Sequence, residues 1–168
     1  MTSSSIHNSE PNEYRPEFAI DNKTSFHWYY GYFKSVSPNP WYKIELQFEI
    51  LLKGIIIHMV HVGGSDAAWT FSNIFVRAGT DKENKTSNEG IITANTDCAN
   101  YTDIPKVNNS GANYNLTCKE TIKADVITIQ KYDNSTVATL QFDEILIFGR
   151  SKFEPLSFKV ATFQTIDL

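Results

Sequence analysis

From Tyr42 to Phe48 the side chains alternate: Tyr42, Ile44, Leu46 and Phe48 are apolar or aromatic, whereas Lys43, Glu45 and Gln47 are polar. A period of two belongs to extended chain, whose successive side chains point to opposite faces, and not to a helix of 3.6 residues per turn. The segment reads as a half-buried strand. Ile55 to Val62 is nearly continuous in apolar residues and His, and is bounded by Gly54 and Gly63-Gly64. It reads as a strand buried on both faces. Further short runs rich in β-branched and aromatic residues lie at Ile74–Ala78, Val126–Gln130, Ala138–Phe142 and Ile145–Phe148, and turn-forming residues separate them. No stretch of helical length combines caps with a 3.6-residue period. Many short strands without helices predict an all-β chain, an antiparallel sandwich or jelly roll.

The 168 residues suffice for one such domain, and 41% hydrophobic with 20% charged residues fits a packed core and excludes a disordered chain. A net charge of -4 with no basic run argues against a surface that tracks nucleic-acid phosphates. The longest apolar stretch, Ile50–Ile57, is interrupted by Lys53-Gly54 and falls short of the roughly 20 residues that a membrane helix needs. Residues 1–16 are polar, contain Pro11 and Pro16, and read as an irregular leader. Residues 17–150 hold the strand pattern. Residues 151–168 form a tail whose alternating run Ser157–Phe163 suits an added edge strand or the start of a following domain.

Six Asn-x-Ser/Thr sequons occur, at Asn22, Asn84, Asn100, Asn108, Asn115 and Asn134. Fourteen Asn and 29 Ser plus Thr give roughly two by chance, so the excess points to N-glycosylation of a secreted or cell-surface chain. Cys98 and Cys118, the two cysteines of the sequence, match no zinc or Cys-x-x-Cys pattern, and in an oxidising compartment they are expected to form a disulfide. Met1–Ser5 carry no apolar run of the kind that drives secretion, so the extracellular location is inferred from sequons and cysteines. Thr80–Lys123, polar and rich in Asn and Thr, reads as a long surface excursion. A Cys98–Cys118 bridge would hold it by removing roughly 3 kcal/mol of unfolded-chain freedom.

Five landmarks in order resemble the F-type lectins (fucolectins) and, more distantly, the discoidin-like galactose-binding domains. They are Phe18-Ala19-Ile20-Asp21-Asn22, Asn39-Pro40-Trp41-Tyr42-Lys43-Ile44-Glu45-Leu46, Phe75-Val76-Arg77-Ala78-Gly79, the Cys98 and Cys118 pair, and Leu140–Phe148. The resemblance spans about residues 17 to 149. It implies an eight-stranded antiparallel jelly-roll β-sandwich with a shallow sugar site among the loops at one end, and a structural calcium close by. Asp21 and Glu144 match acidic calcium positions of the family, while Phe18 and Lys23 stand where two other oxygen ligands are expected. The sugar-binding pattern itself is altered. Phe33 stands near the family's His position, His61-Val62-Gly63-Gly64-Ser65-Asp66 replaces its Arg-x-Asp run, and Thr70 falls near its second Arg. An Arg presents a rigid fork of donors that these residues cannot imitate, so canonical fucose binding is not expected.

The loop that would correspond to the family's first binding loop is Phe26-His27-Trp28-Tyr29-Tyr30-Gly31-Tyr32-Phe33, aromatic at six of eight positions. Trp28 and Tyr30 there suit stacking on the apolar face of a sugar or anchoring a protein partner. If the run is a strand, Trp28, Tyr30 and Tyr32 share one face and belong to the core; both readings stay open. His61 and Trp69, in the second candidate loop, complete the expected ligand-binding set, with rim packing the alternative for Trp69. His58 and His61 are three residues apart on extended chain, on opposite faces, which suits no shared metal. Neither a Gly-x-Ser-x-Gly turn nor a phosphate-cradling glycine loop is present, and no carboxylate pair is placed by its spacing, so an enzyme is not expected. The expected function is an extracellular, lectin-like carbohydrate-recognition module with a non-canonical sugar site. The alternative is a protein–protein interaction or structural module of a larger secreted or cell-surface protein.

Overall fold

A computed structural model describes residues 2–3, 19–20, 33–59, 71–83, 85, 87, 91–103, 112–133 and 138–151. Eight strands lie among them: β1 (Thr2–Ser3), β2 (Phe33–Ser37), β3 (Trp41–His58), β4 (Ile74–Gly79), β5 (Thr96–Tyr101), β6 (Asn113–Lys131), β7 (Ala138–Phe142) and β8 (Glu144–Ser151). All pairings are antiparallel. The expected strands are present, and two are much longer than their apolar runs. The alternating Tyr42–Phe48 and the start of the apolar Ile55–Val62 run merge into one strand, β3, and with Ile56 and His58 partly exposed this part is buried on one face and not on both; Val60–Val62 lie outside the described residues. The strand expected at Val126–Gln130 begins thirteen residues earlier, at Asn113. The tail beyond Ser151 lies outside the described residues, and within the leader Thr2 and Ser3 pair with Lys43 and Tyr42.

The strands join in the order β1-β3-β6-β4-β5, with β8 pairing β3, while β2 and β7 form a separate ribbon. How this sheet closes follows from its register. Ile74 on β4 faces Tyr101 on one side and Lys131 on the other, so Tyr101 is level with the last residue of β6. Tyr114 lies seventeen positions before Lys131 on β6, about 55 Å away if the strand ran straight. Yet the rings of Tyr101 and Tyr114 are 5.0 Å apart. β6 must therefore bend back, and β3 with it. The β3–β6 ladder breaks register between Glu45 and Ile50 and again between Leu52 and Gly54. Bulges of this kind sharpen twist and bend a strand. One layer holds β5, β4, the second part of β6, the start of β3 and β1; the facing layer holds the first part of β6, the end of β3 and β8.

The core lies between the layers. It contains Tyr42, Ile44, Ile50, Leu52, Ile55, Ile57, Ile74, Val76, Ile127, Ile129, Phe142 and Ile145, all 2% exposed or less. Tyr42 meets Phe142 edge to face at 5.3 Å, which ties β3 to the β2–β7 ribbon. The expected disulfide forms between Cys98 on β5 and Cys118 on β6. Both sulfurs are buried and belong to the core cluster. The bridge therefore joins the two layers, and is not the surface-loop staple that the sequence suggested.

The Thr80–Lys123 excursion is also more structured than expected, since it contains β5 and the first half of β6. Its described loop residues lie over the outer face of the first layer. Lys43 Nζ donates to the Lys82 carbonyl at 3.0 Å, and Arg77 Nη1 donates to the Thr93 carbonyl at 2.9 Å. Gln130 Oε1 accepts from the Ile92 amide at 2.8 Å, while its Nε2 donates to the Asn39 carbonyl at 3.1 Å. Gly79 is fixed by the same cover: a Cβ there would collide with the Asn95 side chain, and Asn95 has φ of 70°, a left-handed conformation that Asn tolerates.

Candidate ligand-binding end of the sandwich

One end of the sandwich gathers the segments in which binding residues are expected. The β3–β4 connection leaves at His58 and Met59 and returns at Phe71, and β2 begins at Phe33, paired with Phe142 beside the β7–β8 turn. That turn is tied to the end of β3, because the Asp143 amide donates to the His58 carbonyl at 2.9 Å. The Met59 amide donates to the Ala112 carbonyl at 2.9 Å, which brings the start of β6 to the same place. His61 and Trp69 lie within the first connection, and Trp28 and Tyr30 just before β2. All four, with Asp21, are outside the described residues.

At this end sits an aromatic cluster that the sequence reading missed. Phe71 stacks on Tyr114 at 4.0 Å, and Tyr101 contacts both rings, at 5.3 Å to Phe71 and 5.0 Å to Tyr114. Phe71 is buried, whereas Tyr101 and Tyr114 are partly exposed. Desolvation of the hydroxyl, followed by the negative charge of Asp103, raises the Tyr101 pKa above its ordinary 10.0, and a hydrogen bond with Tyr114 opposes this. Thr102 and Asp103, which follow Tyr101, are exposed, as is Asn113, next to Tyr114 but on the opposite face of β6. The alternation of Tyr114, Leu116 and Cys118 with Asn113, Asn115 and Thr117, like that of Tyr42–Phe48, marks the strand that carries Tyr114, though not the meeting of the three rings.

Polar groups at this end are tightly placed. His58 sits across the ladders from Asn113 on one side and Glu144 on the other. Burial pulls its pKa below the ordinary 6.5, with a hydrogen bond to Asn113 working the other way. It is half-buried and neutral at physiological pH, able to donate or accept. Lys131 is 3% exposed, its Nζ donates to Ser72 Oγ at 3.3 Å, and burial lowers its pKa against the pull of Asp133. Asn39, at φ 46°, turns the chain into Pro40 and β3 and accepts the Asp133 amide on its Oδ1 at 3.1 Å. Asn39-Pro40-Trp41 is thus an architectural corner.

Glu144, the one expected calcium ligand among the described residues, is 5% exposed and its neighbour Asp143 2%. Both have interaction partners within the chain. Calcium takes 6–8 oxygens, and no group of three His, Cys, Asp or Glu side chains is assembled among the described residues. Glu144 is a single buried carboxylate there, and Asp21 lies outside the described residues. Among the described residues no helix is long and apolar enough to cross a membrane.

No family model matches the sequence, and no curated protein matches it. Solved structures do match. A fucolectin from striped bass (Morone saxatilis) serum superposes with a TM-score of 0.67 at 18% identity, over 87% of this chain and 45% of that one. An F5/8 type C domain from Bacteroides fragilis gives 0.58 at 11%, over 87% of each chain. The fold is the F-type lectin and F5/8 type C sandwich. A CBM32 module of Clostridium perfringens, solved in complex with GalNAc-β-1,3-galactose, gives 0.62 at 15%, over 88% of this chain and 93% of that module. The chain thus spans about half the length of the fucolectin and nearly all of the single-domain neighbours.

Proposed function

We propose that this chain is an extracellular carbohydrate-recognition module whose non-canonical sugar site lies at the end of the sandwich that carries the Phe71–Tyr101–Tyr114 cluster. The observation that carries the reading is convergence: partly exposed aromatic rings, exposed Thr102, Asp103 and Asn113, and half-buried neutral His58 stand at one end. The connections bearing Trp28, Tyr30, His61 and Trp69 attach to that end. A sugar ring has an apolar face that stacks on an aromatic ring and a rim of hydroxyls that both donate and accept. Aromatic residues bordered by His, Asn, Asp and Thr meet both needs. The same fold holds a disaccharide in the Clostridium module. With Phe33, the His61–Asp66 run and Thr70 in place of the family's His and Arg residues, hydroxyl recognition passes in this reading to Asn113, His58 and His61. Recognition proceeds without bond cleavage. A calcium ion belongs to the reading through Asp21 and Glu144, as a structural brace.

The test is a glycan array probed with the intact chain, with calcium and with a chelator, alongside Trp69→Ala, Trp28→Ala and Asn113→Ala. Binding to one structural class of glycan that weakens about tenfold or more in the aromatic variants is expected, in keeping with the 1–3 kcal/mol that a well-placed contact contributes. No carbohydrate binding in either buffer would sink the proposal. Equal binding with and without calcium would remove the metal from it and leave the sugar site standing.

A further inference from the structure

We infer that Asn115 carries an N-linked glycan whose first sugars cover an otherwise half-exposed apolar row on the outer face of the β8–β3–β6 layer. The inference rests on the extracellular part of the proposed function. Six sequons are present, and two of them, Asn100 and Asn115, fall on described strands. Both asparagines are exposed. What sets Asn115 apart is its surroundings.

Residues directly opposite on antiparallel strands share a face. Ile56 lies opposite Asn115 on one side and Leu146 on the other, which makes a row of Leu146, Ile56 and Asn115. The next row is Phe148, Gly54 and Thr117. Gly54 has no side chain, and the Phe148 ring occupies its place, with Cζ 2.6 Å from where a Cβ would stand. Leu146, Ile56 and Phe148 are all partly exposed. They form an apolar strip of three side chains that ends at the Asn115 amide. Thr117, two positions along and so on the same face, directs its hydroxyl to Asn115 Oδ1 at 3.4 Å.

A glycan is the occupant that this geometry selects, because its attachment atom lies in the strip. In the transfer, the Asn115 side-chain nitrogen attacks the anomeric carbon of an oligosaccharide linked to a polyprenyl pyrophosphate. The new N–C bond forms as the C–O bond breaks, its electron pair leaves with the pyrophosphate, and the amide gives up one proton. The first N-acetylglucosamine then lies within reach of Ile56 and Phe148, its apolar face toward them and its hydroxyls toward water. Asn100, on edge strand β5 opposite Phe75, is the internal comparison: it is exposed, and it faces the layer that the excursion already covers.

The experiment is glycopeptide mapping of the chain from the cells that make it and of the full chain secreted from a eukaryotic host. Asn115→Gln, Thr117→Ala and Asn100→Gln serve as variants. Occupancy at Asn115 is expected, with loss of one glycan mass in both Asn115→Gln and Thr117→Ala. Trimming to the first sugar leaves the melting temperature in place, and Asn115→Gln lowers it by roughly 2–4 °C and raises binding of an apolar dye. A host-secreted chain glycosylated at other sequons but bare at Asn115 would overturn this inference alone. So would an occupied Asn115 whose removal changes neither melting nor dye binding. Native chain with bare asparagines and free thiols at Cys98 and Cys118 would overturn the extracellular reading together with the inference.

Discussion

The two outer faces of this sandwich reverse the usual relation between polarity and burial. On the β5–β4–β6–β3 layer the outward residues Lys43, Thr128 and Gln130 are polar yet 8%, 3% and 4% exposed. On the β8–β3–β6 layer the outward residues Ile56, Leu146 and Phe148 are apolar yet partly exposed. Connectivity makes the difference. The β4–β5 connection folds over the first face and supplies carbonyls and amides to the polar groups it covers, so their burial is offset by hydrogen bonds. Among the described residues no such connection crosses the second. Alternation in a sequence tells which residues share a face; what covers that face is decided by where the intervening chain goes.

The disulfide sets the largest expected effect, because it holds the two layers together. Replacing Cys98 and Cys118 by Ala, or reducing them, frees a loop of 20 residues and should cost roughly 3 kcal/mol on the chain-entropy account. Urea unfolding with and without reductant measures it. A loss below about 1 kcal/mol would mean that packing between β5 and β6 alone secures the layers.

Gln130→Ala probes the covered face. It strips the partners from the Ile92 amide and the Asn39 carbonyl, and leaving a buried polar group unpaired costs about 1–3 kcal/mol. Hydrogen exchange at Ile92 should accelerate while exchange in β8 stays unchanged. If both accelerate equally, the cover is not a separate unit and the contrast between the faces fails. Leu146→Thr probes the bare face. Measured on chain made without glycan, it should change stability by no more than about 0.5 kcal/mol, the usual range for a surface site. A loss above about 2 kcal/mol would show that this face is covered after all.

Much of this fold was legible because β-branched and aromatic residues mark strands wherever they cluster. The disulfide partners were legible for want of alternatives. The first half of β6 was hidden by its composition: Asn113, Asn115, Thr117, Lys119, Thr121 and Lys123 fill the outward positions, and polar residues at that density read as loop although Tyr114, Leu116, Cys118, Ile122 and Ala124 alternate beneath them. The Phe71–Tyr101–Tyr114 cluster was not legible at all. It depends on β6 bending back across its own sheet, and a bend that comes from register shifts between distant strands leaves no mark in either strand alone. Spacing told only that His58 shares no metal with His61, and it is the neighbour across the ladder, Asn113, that gives it a polar role.

His58 sets the smallest effect and lies where the bare face meets the proposed site. Burial lowers its folded pKa below the ordinary 6.5, so in the pH range between the two values the unfolded chain binds the extra proton. Stability is then complete above pH 6.5 and is lost as the pH falls through the folded value, because protonation favours the unfolded state there. His58→Gln, which keeps an amide able to bond Asn113, should abolish this component and leave the chain flatter across that window. Thermal melts at close pH spacing for both proteins make the comparison. The opposite slope, wild type gaining stability as the pH falls, would mean that Glu144 across the ladder holds the imidazolium more strongly than burial opposes it. In that case the end of the sandwich would present a cation rather than a neutral donor to a sugar.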